Sequence, residues 1–214
     1  MPNRIDPNSA RLELAASVLG EVLDELTLVG GCAAGLLITD PAADRPRVTY
    51  DVDFVIEATS YTESKRLDPA MQRAGFAPDS TPGAPLCRWR SADLVVDLMP
   101  TDSRVLGFSN RWYRSTVRHR LPHRLPSGRV LHHTDASHFF ATKLEAFFDR
   151  GSGDACASHD LEDVVRVIDG RSSSEEDVRQ SPTDVRRYVA ESIARILGTP
   201  YFLEGLPSYF EHPI

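Results

Sequence analysis

Leu28-Val29-Gly30-Gly31 and, after 17 intervening residues, Thr49-Tyr50-Asp51-Val52-Asp53-Phe54-Val55-Ile56 are the stretches whose reading decides the fold. In the second, Val52, Phe54 and Ile56 alternate with Asp51, Asp53 and Val55, the period-two pattern of a strand with one buried face. Residues two apart on a strand share a face, with Cα atoms about 6.6 Å apart, so the two carboxylates stand side by side. Carboxylates that close raise each other's pKa unless a cation lies between them. Paired carboxylate oxygens are what Mg²⁺ uses, keeping its other positions for water and substrate phosphates. In the first stretch, Gly30-Gly31 ends a short apolar strand and opens an Ala/Leu-rich helix, Cys32 to Ile38. Bare glycine backbone at a helix start presents free N–H groups that suit a phosphate.

The rest of the chain is consistent with one core or a catalytic domain with a small helical partner. At 214 residues, 41% hydrophobic and 26% charged, it has ordinary globular composition. Its three cysteines (Cys32, Cys87, Cys156) are far apart with no Cys-x-x-Cys, which fits a reducing compartment and argues against a disulfide framework or zinc ribbon. The apolar run Leu14 to Leu19 is followed at once by Glu21 and reads as no signal peptide. No stretch approaches the roughly 18 apolar residues that span a bilayer. The expectation is a cytoplasmic protein without membrane contact.

Net charge is −7, but it is unevenly spread. Between Arg104 and Thr134 there are seven arginines (Arg104, Arg111, Arg114, Arg118, Arg120, Arg124, Arg129) and no Asp or Glu. Four histidines, Trp112 and Tyr113 are interleaved with them. Arginine with aromatics suits phosphate contact and base stacking. A solvated strand pair balanced by the acidic remainder is the plainer alternative.

Taken in order, residues 8–25 read as an amphipathic core helix capped by Asn8 or Ser9. Strand 27–30, helix 31–38 and strand 50–57 follow, with a Pro/Asp/Arg loop at 40–48 placed to close over a substrate. A second helix is expected from Tyr61 to Ala74, stopped by Gly75. Leu86 to Arg90 and Asp93 to Leu98 read as a hairpin turning near Ser91-Ala92. On its second strand Asp93, Val95 and Asp97 share a face, and Asp97, inside the apolar run, is the better metal-ligand candidate. A short helix or turn is expected around 110–117, then a proline-bounded connection and a final short strand to Leu131. Thr134-Asp135 starts a helix with Phe139, Phe140, Leu144, Phe147 and Phe148 on its apolar stripe.

Lys143 lies inside that stripe and is one of two lysines against 22 arginines. A stem packed on the apolar face with the ammonium at the edge is one reading. The favoured one is a compact charge in the cleft against a triphosphate. After Gly151-Ser-Gly-Asp154, read as a flexible connection, Ser158 caps a helix starting His159-Asp160 and stopped by Gly170. Asp160 also suits the dipole of that first turn. Residues 171–182 read as a polar surface loop. Thr183 to Leu197 forms a last amphipathic helix, and Tyr201, Phe202, Tyr209 and Phe210 in the tail dock on the body.

Gly-Gly at a strand-to-helix turn, Asp-x-Asp on the next strand and one more Asp on a later strand resemble the nucleotidyltransferase superfamily of the DNA polymerase β type. Lys143 on a helix, then a loop, then His159-Asp160-Leu161-Glu162-Asp163 at a helix start adds a second signature. Over residues 28–170 the chain looks like the AbiEii/AbiGii-type nucleotidyltransferases, which include toxins of toxin–antitoxin systems such as the MenT group. It departs at His159, where that family usually has Arg or Lys, and Asp97 is a less certain motif of this branch.

The resemblance implies an α+β fold: a polymerase β-like core, with a mixed sheet flanked by helices, over residues 1–133, and a C-terminal helical lobe over 134–214. It implies functional roles for Gly30, Gly31, Asp51, Asp53, Lys143 and Asp160, with Asp160 against Asp163 left open. The expected chemistry is Mg²⁺-dependent transfer of a nucleoside monophosphate from an NTP to an acceptor hydroxyl. Asp51 and Asp53 bridge two metal ions, and Asp97 holds the one at the nucleophile. Gly30, Gly31 and Lys143 bind the phosphates. The family's acceptor is the tRNA 3′ end, and a cognate antitoxin is a further implied partner. The alternatives are an aminoglycoside- or lincosamide-type antibiotic nucleotidyltransferase and an inactive fold acting as a binding module. A metal-dependent glycosyltransferase would want a nucleotide-binding βαβ region ahead of Asp51, and a zinc site lacks the ligand spacing.

Overall fold

A computed structural model describes residues 6–92, 94–150, 158–199 and 202–210. The expectations placed on Asp93, the 151–154 connection, Cys156 and Tyr201 lie outside these residues.

The chain opens with α1 (Ser9–Leu19), and Gly20, at φ +55°, converts the expected single helix into a 3₁₀ segment, Gly20–Glu25. Then come β1 (Leu26–Leu28), α2 (Gly30–Leu37) and β2 (Asp51–Ile56). Asn8 adopts the cap position of α1 without capping it. Its amide instead donates to Arg47 O (2.9 Å) and accepts from Thr49 N (3.0 Å), fixing the approach to β2. The helix expected over 61–74 is broken into α3 (Tyr61–Ser64), a 3₁₀ turn (Lys65–Leu67) and α4 (Asp68–Arg73). Pro69, which lacks an N–H, begins a new helix more readily than it continues an old one.

Next are β3 (Ala77–Pro78), β4 (Arg88–Arg90), β5 (Val95–Pro100), α5 (Ser103–Leu106) and α6 (Tyr113–Arg118). The proline-bounded connection proves to be a second hairpin, β6 (Leu121–Arg124) with β7 (Val130–His133). Its turn runs through Pro126 to Gly128, and Gly128 N donates to Leu125 O at 2.8 Å. Pro122 is tolerated because β6 is an edge strand. The chain ends with α7 (Ala136–Asp149), α8 (His159–Asp169), α9 (Ser174–Gln180), α10 (Thr183–Leu197), α11 (Phe202–Gly205) and a 3₁₀ turn (Leu206–Tyr209).

Helix α9 corrects the surface loop expected over 171–182. Glu175, Glu176 and Asp177 load its first turn, where they complement the dipole, and Arg179 pairs back to Glu175 and Glu176 one turn earlier. A run of charges on a short solvated helix has little apolar periodicity to read.

The sheet is mixed and seven-stranded, in the order β3-β4-β5-β2-β1-β7-β6. Strand β2 is parallel to β5 and antiparallel to β1, and β1 is parallel to β7. The fold is α+β, as expected. Val52, Phe54 and Ile56 point into the core while Asp51 and Asp53 take the other face, so the predicted alternation holds. Phe139, Phe140 and Leu144 of α7 are fully buried, each stabilising by roughly 1.5–3 kcal/mol. Phe202 and Tyr209 are buried and Phe210 packs beside them, so the tail docks as expected.

Candidate active site

Register brings the acids together. In the parallel pair β2/β5, Asp53 lies opposite Asp97, and Asp51 is two residues back on the same face. Ligand atoms of Asp51, Asp53 and Asp97 all lie within 4.8 Å of one another. Burial, then the charges of Asp51 and Asp97, push the Asp53 carboxyl up to about 7, while Lys143 and Arg150 pull the other way.

The Gly-Gly turn meets these acids directly. Val29 N donates to Asp53 O at 2.9 Å, and Gly30 follows at φ +66°, a left-handed conformation that favours glycine. A Cβ on Gly30 would sit 2.0 Å from Asp53 Oδ2, and one on Gly31 2.4 Å from Thr49 Cγ2. The start of α2 is thus held flush against Asp53 of the acid cluster.

Arg88 is a member that sequence reasoning missed. It faces Asp97 across the β4/β5 hairpin, donating from Nε to Asp97 Oδ1 (2.9 Å) and from Nη2 to Asp97 Oδ2 (2.8 Å). The same Nη2 reaches Asp51 Oδ2 at 2.8 Å. This bidentate fork raises the Arg88 pKa, chiefly through the hydrogen bonds to Asp97. The available signal was the alternation in Cys87-Arg88-Trp89-Arg90, which puts Arg88 on the face opposite buried Trp89.

A second charge cluster lies on the helical side. Lys143 Nζ is 2.6 Å from Asp163 Oδ2 and 3.2 Å from Asp160 Oδ1. Arg47 Nε joins Asp163 Oδ1 at 3.0 Å, and Arg150 pairs with Asp160. Burial alone would lower the Lys143 pKa, but the Asp163 and Asp160 carboxylates outweigh it, and the ammonium is held charged. Asp163 is fully buried and carries two cations, whereas Asp160 borders the cleft with Val29, Gly30, Asp53, Tyr113 and Lys143. Ser158 caps α8 through Leu161 N (3.3 Å), which aims the first turn at Lys143.

The 40–48 loop belongs to this cluster. Thr39 N and Asp40 N donate to Gly170 O at 2.8 and 2.9 Å, Arg166 donates to Arg45 O, and Arg47 binds Asp163. It is pinned to α8 rather than placed to close over a substrate. The Arg47 guanidinium stands beside Gly31, where a Cβ would come within 3.0 Å of Nη2.

The arginine-rich stretch is partly neutralised from within the fold. Arg104 and Arg114 pair with Asp102, and Arg111 pairs with Glu145 while stacking over Tyr188 at 4.3 Å. Arg120 and Arg124 donate to backbone carbonyls. Cys32 and Cys87 are buried, free thiols.

No family model matches the chain, and no curated protein does. Its fold is similar to that of an antigenic nucleotidyltransferase-like protein from Paracoccidioides brasiliensis. The two share 17% identity with a TM-score of 0.54, over 94% of this chain and 92% of that one. The likeness is one of fold, and Asp51, Asp53 and Asp97 form an acid cluster that could hold a metal ion. No helix among the described residues is long and apolar enough to cross a membrane.

Proposed function

We propose that the protein is a nucleotidyltransferase that moves a nucleoside monophosphate from an NTP to an acceptor hydroxyl and releases pyrophosphate. One observation carries this reading: Asp53, clustered with Asp51 and Asp97 on adjacent strands, lines one cleft with the Gly30 helix start and a buried Lys143. The donor set fits Mg²⁺, being all carboxylate oxygen, and Arg88 already lies against it as a cation. Asp51, Asp53 and Asp97 would hold the metal, which when bound supplies charge stabilisation for the attacking and leaving oxygens.

The chain's own groups do the rest. Free amides at the start of α2 and the Lys143 ammonium bind the triphosphate and take up charge as it moves onto pyrophosphate. Asp160, at the cleft edge, and Asp163, buried behind it, hold Lys143 charged and oriented. In this reading residues 1–133 carry the metal acids and residues 134–214 form the lobe that presents Lys143 and Asp160.

A tRNA 3′ end as acceptor, a toxin's place in a toxin–antitoxin system and a cognate antitoxin rest on the resemblance of the four motifs. The internal pairing of Arg104, Arg111 and Arg114 favours a second reading, a small cationic acceptor such as an aminoglycoside, because less positive charge is left for a polyanion. The test is label transfer from each α-labelled NTP, with total tRNA and a panel of aminoglycosides as parallel acceptors. Label on tRNA supports the first reading and label on a drug the second. Losing Asp51 should cost about a thousandfold in rate, roughly 4 kcal/mol. Full transfer by Asp51→Ala contradicts the mechanism.

A further inference from the structure

Arg88 does more than neutralise a neighbour. Its fork engages both oxygens of Asp97 and one oxygen of Asp51, while the Asp53 carboxylate takes no part in it. The acids therefore divide into two halves. On one side Asp97 is fully occupied by nitrogen donors. On the other, Asp53, next to the Gly30 turn, and Asp51 Oδ1 remain outside the fork. Charge divides the same way, because three carboxylates against one guanidinium leave an excess equal to one divalent ion. A second divalent ion beside the guanidinium would make the site net positive at contact distance, where repulsion in a partly desolvated site is strong. The Arg88 side chain is 22% exposed and starts a three-residue strand after the 79–87 loop, so the guanidinium has solvent to move into.

We propose that Arg88 occupies the Asp97 half of the acid cluster as a tethered cation. The free protein then takes one divalent ion, on Asp51 and Asp53, and admits a second at Asp97 only when the guanidinium leaves. This rests on the metal-binding reading above and sharpens it: Arg88 sets the order in which the ions enter. In this scheme the chain exchanges a guanidinium for a metal ion at Asp97, so the loss of its fork accompanies assembly of the complete site.

The test counts ions rather than turnover. Mn²⁺ is titrated into the full chain without nucleotide, with the free ion followed by its paramagnetic resonance signal and folding checked by circular dichroism. Wild type is expected to bind one Mn²⁺ per chain and Arg88→Gln two, the second about tenfold or more tighter than any second ion on wild type. Asp97→Asn gives a reading that does not depend on the Arg88 variant folding: one ion still binds per chain, weakened by the lost charge, if Asp97 is not its ligand. Two ions on wild type, one ion on folded Arg88→Gln, or loss of the first ion in Asp97→Asn would each overturn the role given to Arg88. All three leave the metal reading standing. No Mn²⁺ on either wild type or Arg88→Gln would overturn the metal reading itself, and the inference with it.

Discussion

The two charge clusters that face each other across the cleft are built from the same residue types to opposite ends. On the sheet, Asp51 and Asp97 share one guanidinium, and Asp53 stands beside them outside its fork. On the helices, Asp160 and Asp163 share Lys143, Arg47 and Arg150. The first carries an excess of negative charge and the second an excess of positive charge. An internally balanced ion network is structure, whereas an unbalanced one is waiting for a ligand of the opposite sign. Under the proposed function the sheet side would take metal cations and the helical side phosphate oxygens, the division of labour a metal–nucleotide substrate requires.

The sharpest way to break this comparison is to remove an acid from each side. Asp53→Asn should lower transfer about a thousandfold, roughly 4 kcal/mol, yet should not weaken the fold. Asp53 has its folded pKa raised from 3.8 to about 7, so its contribution to stability is fully present below 3.8 and lost as pH rises through 7. In metal-free buffer the variant should consequently be more stable than wild type above pH 7, by up to about 4 kcal/mol, with the two converging below about pH 4. A variant less stable than wild type at pH 8 would show Asp53 to be a structural acid.

Asp163→Asn probes the helical side and should behave in reverse. It strips two cations of a fully buried partner, and about 3 kcal/mol of stability should go with it in urea unfolding. Unchanged stability would mean that Lys143 and Arg47 relax onto other groups. A smaller effect is expected at the seam between the clusters. Gly30→Ala must accept φ +66° and a Cβ overlapping Asp53 Oδ2, so it should cost roughly 2 kcal/mol and weaken divalent-ion binding as Asp53 is displaced. Wild-type ion affinity in that variant would separate the glycine turn from the acids.

Which parts of this were legible beforehand follows from how far apart the partners lie in sequence. Asp51 and Asp53 declared themselves by strand alternation, and Asp97 by interrupting an apolar run, both local patterns. Arg88 did not, because its partnership depends on β4/β5 register, which places it opposite Asp97. Lys143 was conspicuous as a rare lysine, but its pairing with Asp160 and Asp163 joins two helices and shows only in the packing. Arg47 lay in a Pro/Asp/Arg loop read as one that closes over a substrate, while α8 and Asn8 hold it in place. Local signals also misled where charge or proline masked the period, as in α9 and at Pro69.

The most direct test of the opposed clusters is a crystal structure with Mn²⁺ and a non-hydrolysable NTP, the ion located by anomalous scattering. The account predicts an anomalous peak bound by Asp51 and Asp53, with the β- and γ-phosphates against the Gly30-Gly31 amides and Lys143. An ion held instead by Asp160 and Asp163, or a triphosphate bound away from the start of α2, would contradict it.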